Sequence, residues 1–554
     1  MQLYAWDRHQ HRQVTDNPIG VSGGRVSIDG SRILWFDDRT GDETGRWISI
    51  PFEGGEASPA APSLPLGWSS GYAESPAGLA IGVSTRGDYS LYRVVKGEAG
   101  LLASGAEPQW VEELSEDGGL LAIGHAVDGD YLHPGIRVVD FERGEVVAAL
   151  ADRGRSLHAV AFAPRPGDTR LAFNHELSGA ARPGVLDTAT GERRDIAIQA
   201  DGEFEAAGWF PDASALLLVR DFEGRQELYR YDLGGDRLDR LEHAPGSIQG
   251  CRVRPDGEIW LRHSSGAKPW TLMRLDGTPL LQVGEPAPAG VPYHSWHFAN
   301  PGGDRVHGFV AEARQGDGPK PLLMWVHGGP HYQYGDWFMP EVQAWVDHGV
   351  SVAMVNYRGS TGYGQAWRDF LIGNPGFPEV EDVVAGLNDL LASGAVDRGR
   401  VMVGGRSWGG YITLLCAGLH PDRWAAALAT VPVADYVSAF EDEGPDLQAL
   451  DRNLFGGDPQ SRRQLYDERS PLTYVERVRA PLLIIAGDND IRCPVRQILN
   501  YVERLDALGK PHRLYRYEAG HGSLLIEERL RQMRLELEFA GDNLAGGLAE
   551  PVEP

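Results

Sequence analysis

Over roughly the first 288 residues a turn signal followed by a short apolar run returns at intervals of about 40–50 residues, and this repeat limits the available folds more than any other feature. The signals are Asp29-Gly30, Pro76-Ala77-Gly78, Asp117-Gly118, Pro166-Gly167-Asp168, Pro211-Asp212 and Pro255-Asp256-Gly257. Each precedes a strand-like run (RILWF, LAIGV, LLAIG, RLAF, ALLLV, EIWLR), and several lead on to a second strand that ends in another turn. A unit of this size cannot bury its own faces, so copies must stack around an axis as the four-stranded blades of a β-propeller. Six blades are readable. An all-β sandwich would not repeat at this interval.

From Pro321 onward the pattern changes. PLLMWV (321–326), SVAMVNY (351–357), VMVGG (401–405), AALATV (426–431), PLLIIAG (481–487) and RLYRYEAG (513–520) read as strands, most of them continuously apolar. Such runs suit parallel strands covered on both faces. Helical patterns at 379–392, 408–419, 495–508 and 523–539 alternate with them, which predicts a mostly parallel, doubly wound α/β sheet. The Pro/Gly-rich stretch 284–292 separates the two halves, and 298–310 reads as a hairpin opening the second. The expected division is an N-terminal extension at 1–18, a propeller at 19–288, an α/β-hydrolase domain at 289–545 and a flexible tail at 546–554. A chain of 554 residues is long enough for such a division.

The formal charge of −26 argues against nucleic-acid or anionic-membrane partners, which reward Lys and Arg. Three scattered cysteines without CxxC spacing, and an N-terminus without an apolar signal core, predict a cytoplasmic chain with reduced thiols.

Three stretches fit G-x-S-x-G: GVSGG (20–24), GWSSG (67–71) and GRSWG (405–409). With 71 glycines in 554 residues about half an accidental match is expected, so context decides. Ser22 and Ser69 lie in turn-rich β sequence. Ser407 alone follows a buried strand and precedes an apolar helix, the setting of a nucleophile elbow. A serine hydroxyl needs a base, and the base needs an orienting acid. Asp488 and Asp490 follow one buried strand and His521 follows the last, giving the order Ser, Asp, His; Asp490 is preferred, with Asp488 as a turn residue. Backbone N–H groups of Trp408 and Gly329 are the expected oxyanion donors.

HGGP (327–330), NYRGSTGYG (356–364), GRSWGGY (405–411), GDNDIRCP (487–494) and GHG (520–522), behind a propeller, resemble the prolyl oligopeptidase family of serine peptidases, closest to its acylaminoacyl-peptidase and aminopeptidase branch. The resemblance implies seven blades, one more than the repeat shows. It implies short peptide substrates admitted past the propeller, no metal or cofactor, and a tendency toward homo-oligomers. It also selects Asp490 as the acid and places Arg492 near a substrate carbonyl. Phe440 is a candidate pocket wall. The acidic run with Glu441 and Glu443 is a candidate site for a peptide α-amine, with a solvated loop as its bland alternative. Two other classes stay open: a carboxylesterase or amidase acting on small acyl compounds, and a non-catalytic interaction protein using its propeller.

Overall fold

The computed structural model describes residues 1–6, 11–281, 287–315 and 318–551. The stretch read as an interdomain linker falls partly outside these. Six antiparallel sheets follow one another from Arg25 to Arg274, five of four strands and a last one of three, Ser247–Val253, Ile259–Ser265 and Lys268–Arg274. The propeller therefore has six blades, and the seventh implied by the family resemblance is not among the described residues.

Blades hold together through apolar residues shared between neighbours. Leu91 of the second blade packs with Ile123 of the third, Leu157 of the fourth with Val138 of the third, and Leu217 of the fifth with Leu261 of the sixth. Among the described residues no such buried cluster joins the sixth blade to the first. The first blade instead packs on its other side against Leu3, Ala5 and Val14 of the N-terminal segment, which forms a hairpin of Tyr4–Trp6 with His11–Gln13.

The second half is built on one eight-stranded sheet. Its strands are β1 (His294–Ala299), β2 (Arg305–Ala311), β3 (Lys320–Val326), β4 (Ser351–Asn356), β5 (Val396–Arg406), β6 (Ala426–Thr430), β7 (Leu482–Gly487) and β8 (His512–Tyr517). They lie in the order β1-β2-β4-β3-β5-β6-β7-β8. β2 pairs antiparallel with both β1 and β4, and β3 to β8 run parallel to one another. Helices cover both faces: Phe377–Ala392, Trp408–Leu419 and Val495–Ala507 on one, Pro340–Asp347 and Ile526–Asn543 on the other. This double cover is why β6 and β7 are buried throughout and carry no polar alternation. The tail expected to be flexible is tied down as far as Glu550, through Ala549 N–H to the His348 carbonyl and Gln315 to the Glu550 carbonyl. No described helix is long and apolar enough to cross a membrane.

The propeller sits on the carboxyl ends of these strands. Asp336 receives Arg225 and the Gly266 N–H, Arg368 pairs with Glu176, and His133 meets Asp369 at 2.9 Å. Loops on that face are therefore roofed by the propeller.

Candidate active site

Ser407 stands at the sharp turn between β5 and the helix Trp408–Leu419, with φ 58° and ψ −122°. That left-handed backbone is strained for any residue with a Cβ, and the surroundings hold it in place. Ser407 N–H bonds the Thr430 carbonyl of β6 at 2.9 Å. Gly409 lies so close to β3 that a Cβ there would meet the Val326 carbonyl oxygen at 2.0 Å. The elbow therefore needs glycine for space beside the strand.

Asp490, at the end of β7, is buried and its carboxylate is fully engaged. One oxygen accepts the N–H groups of Arg492 and Cys493, each at 2.8 Å, and the other lies 2.9 Å from His521 Nδ1. Two backbone donors fix the carboxylate plane, and the carboxylate then fixes the imidazole. Asp488 instead turns outward to Arg516. The His521 loop is braced by Arg406, which donates to the His521 carbonyl at 3.0 Å, and by Tyr517, which donates to the Gly520 carbonyl at 2.9 Å.

The Ser407 hydroxyl contacts the thiol of Cys493, and burial pushes that thiol well above its ordinary pKa, so it stays protonated. Asp490, Cys493 and His521 place their polar atoms within 4.8 Å of one another. Cys493 itself is buried.

The loop after β3 runs alongside. A Cβ on Gly328 would lie 3.4 Å from Ser407 Cβ and 4.0 Å from its Oγ. Gly329 is the next residue, and Trp408 opens a helix whose first N–H groups have no intrahelical acceptor. The loop is held by His327, which lies between the Gly328 carbonyl (2.7 Å) and Ser360 Oγ (2.8 Å) and stacks on Tyr357 at 4.0 Å. Complete burial drives the His327 pKa down to about 3, so this imidazole is neutral and serves as a brace. Glu379 supports the other side, accepting Trp408 Nε1 at 3.1 Å and the Gly376 N–H at 2.8 Å; burial raises its pKa to about 8. Neither His327 nor Glu379 was singled out in the sequence, although the HGGP motif contains the first.

The remaining expected residues separate. Arg492 binds Glu43 of the propeller through two bonds, at 2.6 and 3.1 Å, beside an interdomain cavity of about 730 Å³ that His521 and Arg406 also line. Phe440 is half-buried against Tyr466, with Arg452 over its ring. Glu441 faces outward to Arg496 at 2.7 Å. Glu443 is buried, with one carboxylate oxygen unpaired. A Glu223–His297–His307 group on the seam between the domains also brings potential ligand atoms together, and there Glu223 is engaged by His297 and Arg305.

A propeller seated on an α/β-hydrolase sheet, with serine, aspartate and histidine at the strand ends, defines the architectural class. The profile of the prolyl oligopeptidase family matches residues 336–547, most of the α/β half. An uncharacterized peptidase of Bacillus subtilis, YuxL, is 32% identical over 250 residues, 44% of this chain and 37% of that protein. The acylamino-acid-releasing enzyme of Mus musculus is 33% identical over 206 residues, 36% of this chain and 28% of the enzyme. The matched stretches thus span 37% and 28% of those relatives. A puromycin-hydrolyzing peptidase from Mycobacterium tuberculosis aligns over 98% of this chain and 90% of its own, with TM-score 0.79 and 20% identity. An acylaminoacyl peptidase from Pyrococcus horikoshii aligns over 97% and 90%, with TM-score 0.73 and 19% identity. At those identities the two structures establish the shared fold.

Proposed function

We propose that this chain is a serine peptidase that removes residues from the N-terminal end of short peptides, as an aminopeptidase or an acylaminoacyl peptidase. The observation that carries the reading is the Asp490–His521 hydrogen bond beside the strained elbow of Ser407. In the reaction, Ser407 Oγ attacks the scissile carbonyl carbon while His521 takes its proton. Asp490 holds the imidazole tautomer and stabilises the imidazolium. The N–H groups of Gly329 and Trp408 receive the oxyanion. His521 then protonates the departing amine, and water, activated by the same imidazole, releases the acyl group. The propeller over the strand ends restricts the site to short chains. Three free cysteines suit a reducing compartment such as the cytoplasm.

The test is a library of short peptides with free, acetylated and extended N-termini, read by mass spectrometry. Release of one terminal residue, free or acetylated, is expected. Cleavage of p-nitrophenyl esters without any peptide cleavage would instead make the chain an esterase, and failure of Ser407 to react with a fluorophosphonate would remove the hydrolase reading altogether.

A further inference from the structure

Glu223, His297 and His307 meet on the seam between propeller and sheet, and the proposed reaction uses none of them. His297 and His307 stand opposite each other in the β1–β2 ladder, so both rings leave the same face of the sheet edge, with centroids 4.9 Å apart. Glu223 comes from the other half of the molecule. With Gly224 it forms the turn that joins Ala215–Phe222 to Arg225–Asp232 in the fifth blade. A ligand atom from each of the three lies within 4.8 Å of those from the other two.

The side chains are already oriented. His307 is buried, and its Nδ1 lies 2.6 Å from Tyr363 Oη, which also accepts Asn356 Nδ2 at 2.7 Å, so the ring plane is fixed. Its Nε2 has Ser295 Oγ at 3.3 Å. His297 directs Nε2 at Glu223 Oε1, 2.9 Å away. Outer partners such as Tyr363 are what hold histidine ligands in place around a metal. Glu223 Oε1 takes both of its donors, His297 and Arg305, and among the described residues Oε2 takes none. Two guanidiniums oppose a bound cation here. Arg225 is committed elsewhere, to Asp336 and to Ser295 Oγ, while Arg305 is 67% exposed and reaches Glu223 at 3.2 Å from solvent. A cavity of about 380 Å³ is lined by Glu223, His297 and His307 together, which gives an ion a route in and leaves room for a water ligand.

We propose that Glu223, His297 and His307 bind a divalent transition-metal ion, zinc above all, that staples the propeller to the α/β domain. Two imidazoles and one carboxylate suit zinc and its neighbours in the first transition row, whereas calcium and magnesium call for oxygen donors. A tetrahedral zinc spaces its ligand atoms about 3.4 Å apart, so small side-chain rotations bring the three into place. The Glu223–His297 hydrogen bond then gives way to two bonds to the ion, and Arg305 swings into solvent. Because the carboxylate and the imidazoles belong to different halves, the ion binds the docked arrangement and raises its stability.

The experiment does not depend on the peptidase reading. Asp490, Cys493 and His521 form another group with ligand atoms in reach, so zinc is titrated by calorimetry into metal-free His521→Ala protein. One zinc per chain is expected, with a higher melting temperature. In that background His297→Ala and Glu223→Gln should each weaken binding by about a hundredfold or more. Arg305→Ala should tighten it, since the competing cation is gone. One equivalent of cobalt should give the visible bands of a four-coordinate site without the thiolate band that coordination by Cys493 would add. No zinc binding, equal affinity in all the variants, calcium or magnesium bound as tightly as zinc, or a thiolate band at one equivalent would each overturn the site. If the His297 and Glu223 variants fail to fold, the exposed Arg305→Ala variant and the cobalt spectrum decide.

Discussion

Ser407 has a backbone that its own side chain disfavours, and the amide bond to Thr430 with the close packing of Gly409 on Val326 keeps it there. Gly409→Ala is therefore expected to destabilise the fold by about 2 kcal/mol or more, because the nearest atom is strand backbone that cannot move aside; thermal unfolding followed by circular dichroism measures it. Ser407→Ala and His521→Ala should each lower kcat by about 10³–10⁶, and the double variant should lose little more, since the groups act as one unit. Asp490→Asn should cost about 10⁴, because it takes away the acceptor that selects the His521 tautomer. Unchanged melting temperatures in these three variants would assign the losses to chemistry. The strand-end positions of Ser407, Asp490 and His521 were legible because each lies in a short motif, where local sequence dictates local geometry. The Ser407–Cys493 contact was not, since it joins two loops 86 residues apart.

At the scale of elements, the first propeller blade reaches the loops of Asp490 and His521. Gly520 faces Gly41 so closely that a Cβ on Gly520 would lie 1.6 Å from the Gly41 carbonyl oxygen, and Asn489 donates to the Thr40 carbonyl at 2.8 Å. The glycine before His521 thus makes room for the propeller. Glu43→Ala should release Arg492 from its two bonds and change KM for peptides more than kcat, as steady-state kinetics would show. A second seam is His133, between Asp130 at 2.8 Å and Asp369 at 2.9 Å. Burial alone would lower its pKa, but the two carboxylates outweigh that and raise it to about 9 from 6.5. A raised histidine pKa adds stability in full below about pH 6.5, and that stability is lost as pH climbs through about 9. The melting temperature of the native protein should therefore fall toward that of His133→Gln between pH 6.5 and 9; an unchanged gap would refute the linkage. Element types followed from hydrophobic periodicity, and the readings at 408–419 and 495–508 match helices Trp408–Leu419 and Val495–Ala507 within a residue. The helices Pro340–Asp347 and Pro445–Phe455 escaped notice because Pro at the first turn and a polar face blur the signal.

The whole molecule is a ring of blades whose shared cores run from first to sixth, clamped over a sheet by ion pairs such as Arg225–Asp336 and Arg368–Glu176. On the proposed reading the propeller limits what enters, and hydrolysis should then fall steeply with peptide length. Glu176→Ala, which removes the Arg368–Glu176 pair across the seam and leaves Arg368 only its neighbour Asp369, should soften that limit and raise cleavage of longer peptides relative to short ones. Mass spectrometry of a length series in both proteins measures the ratio, and an equal ratio would show that the seam does not gate entry.

Periodicity and local motifs determined the two-part architecture, the elbow and the order of the candidate triad, because these depend on neighbours within a turn or a strand. Tertiary structure alone decided the pairing of Arg492 with Glu43, the outward turn of Glu441 and the burial of Glu443. Those outcomes depend on which surfaces meet after long stretches of chain have folded back. Whether an acid is solvated or buried is set by what covers it, and no pattern along the chain records that.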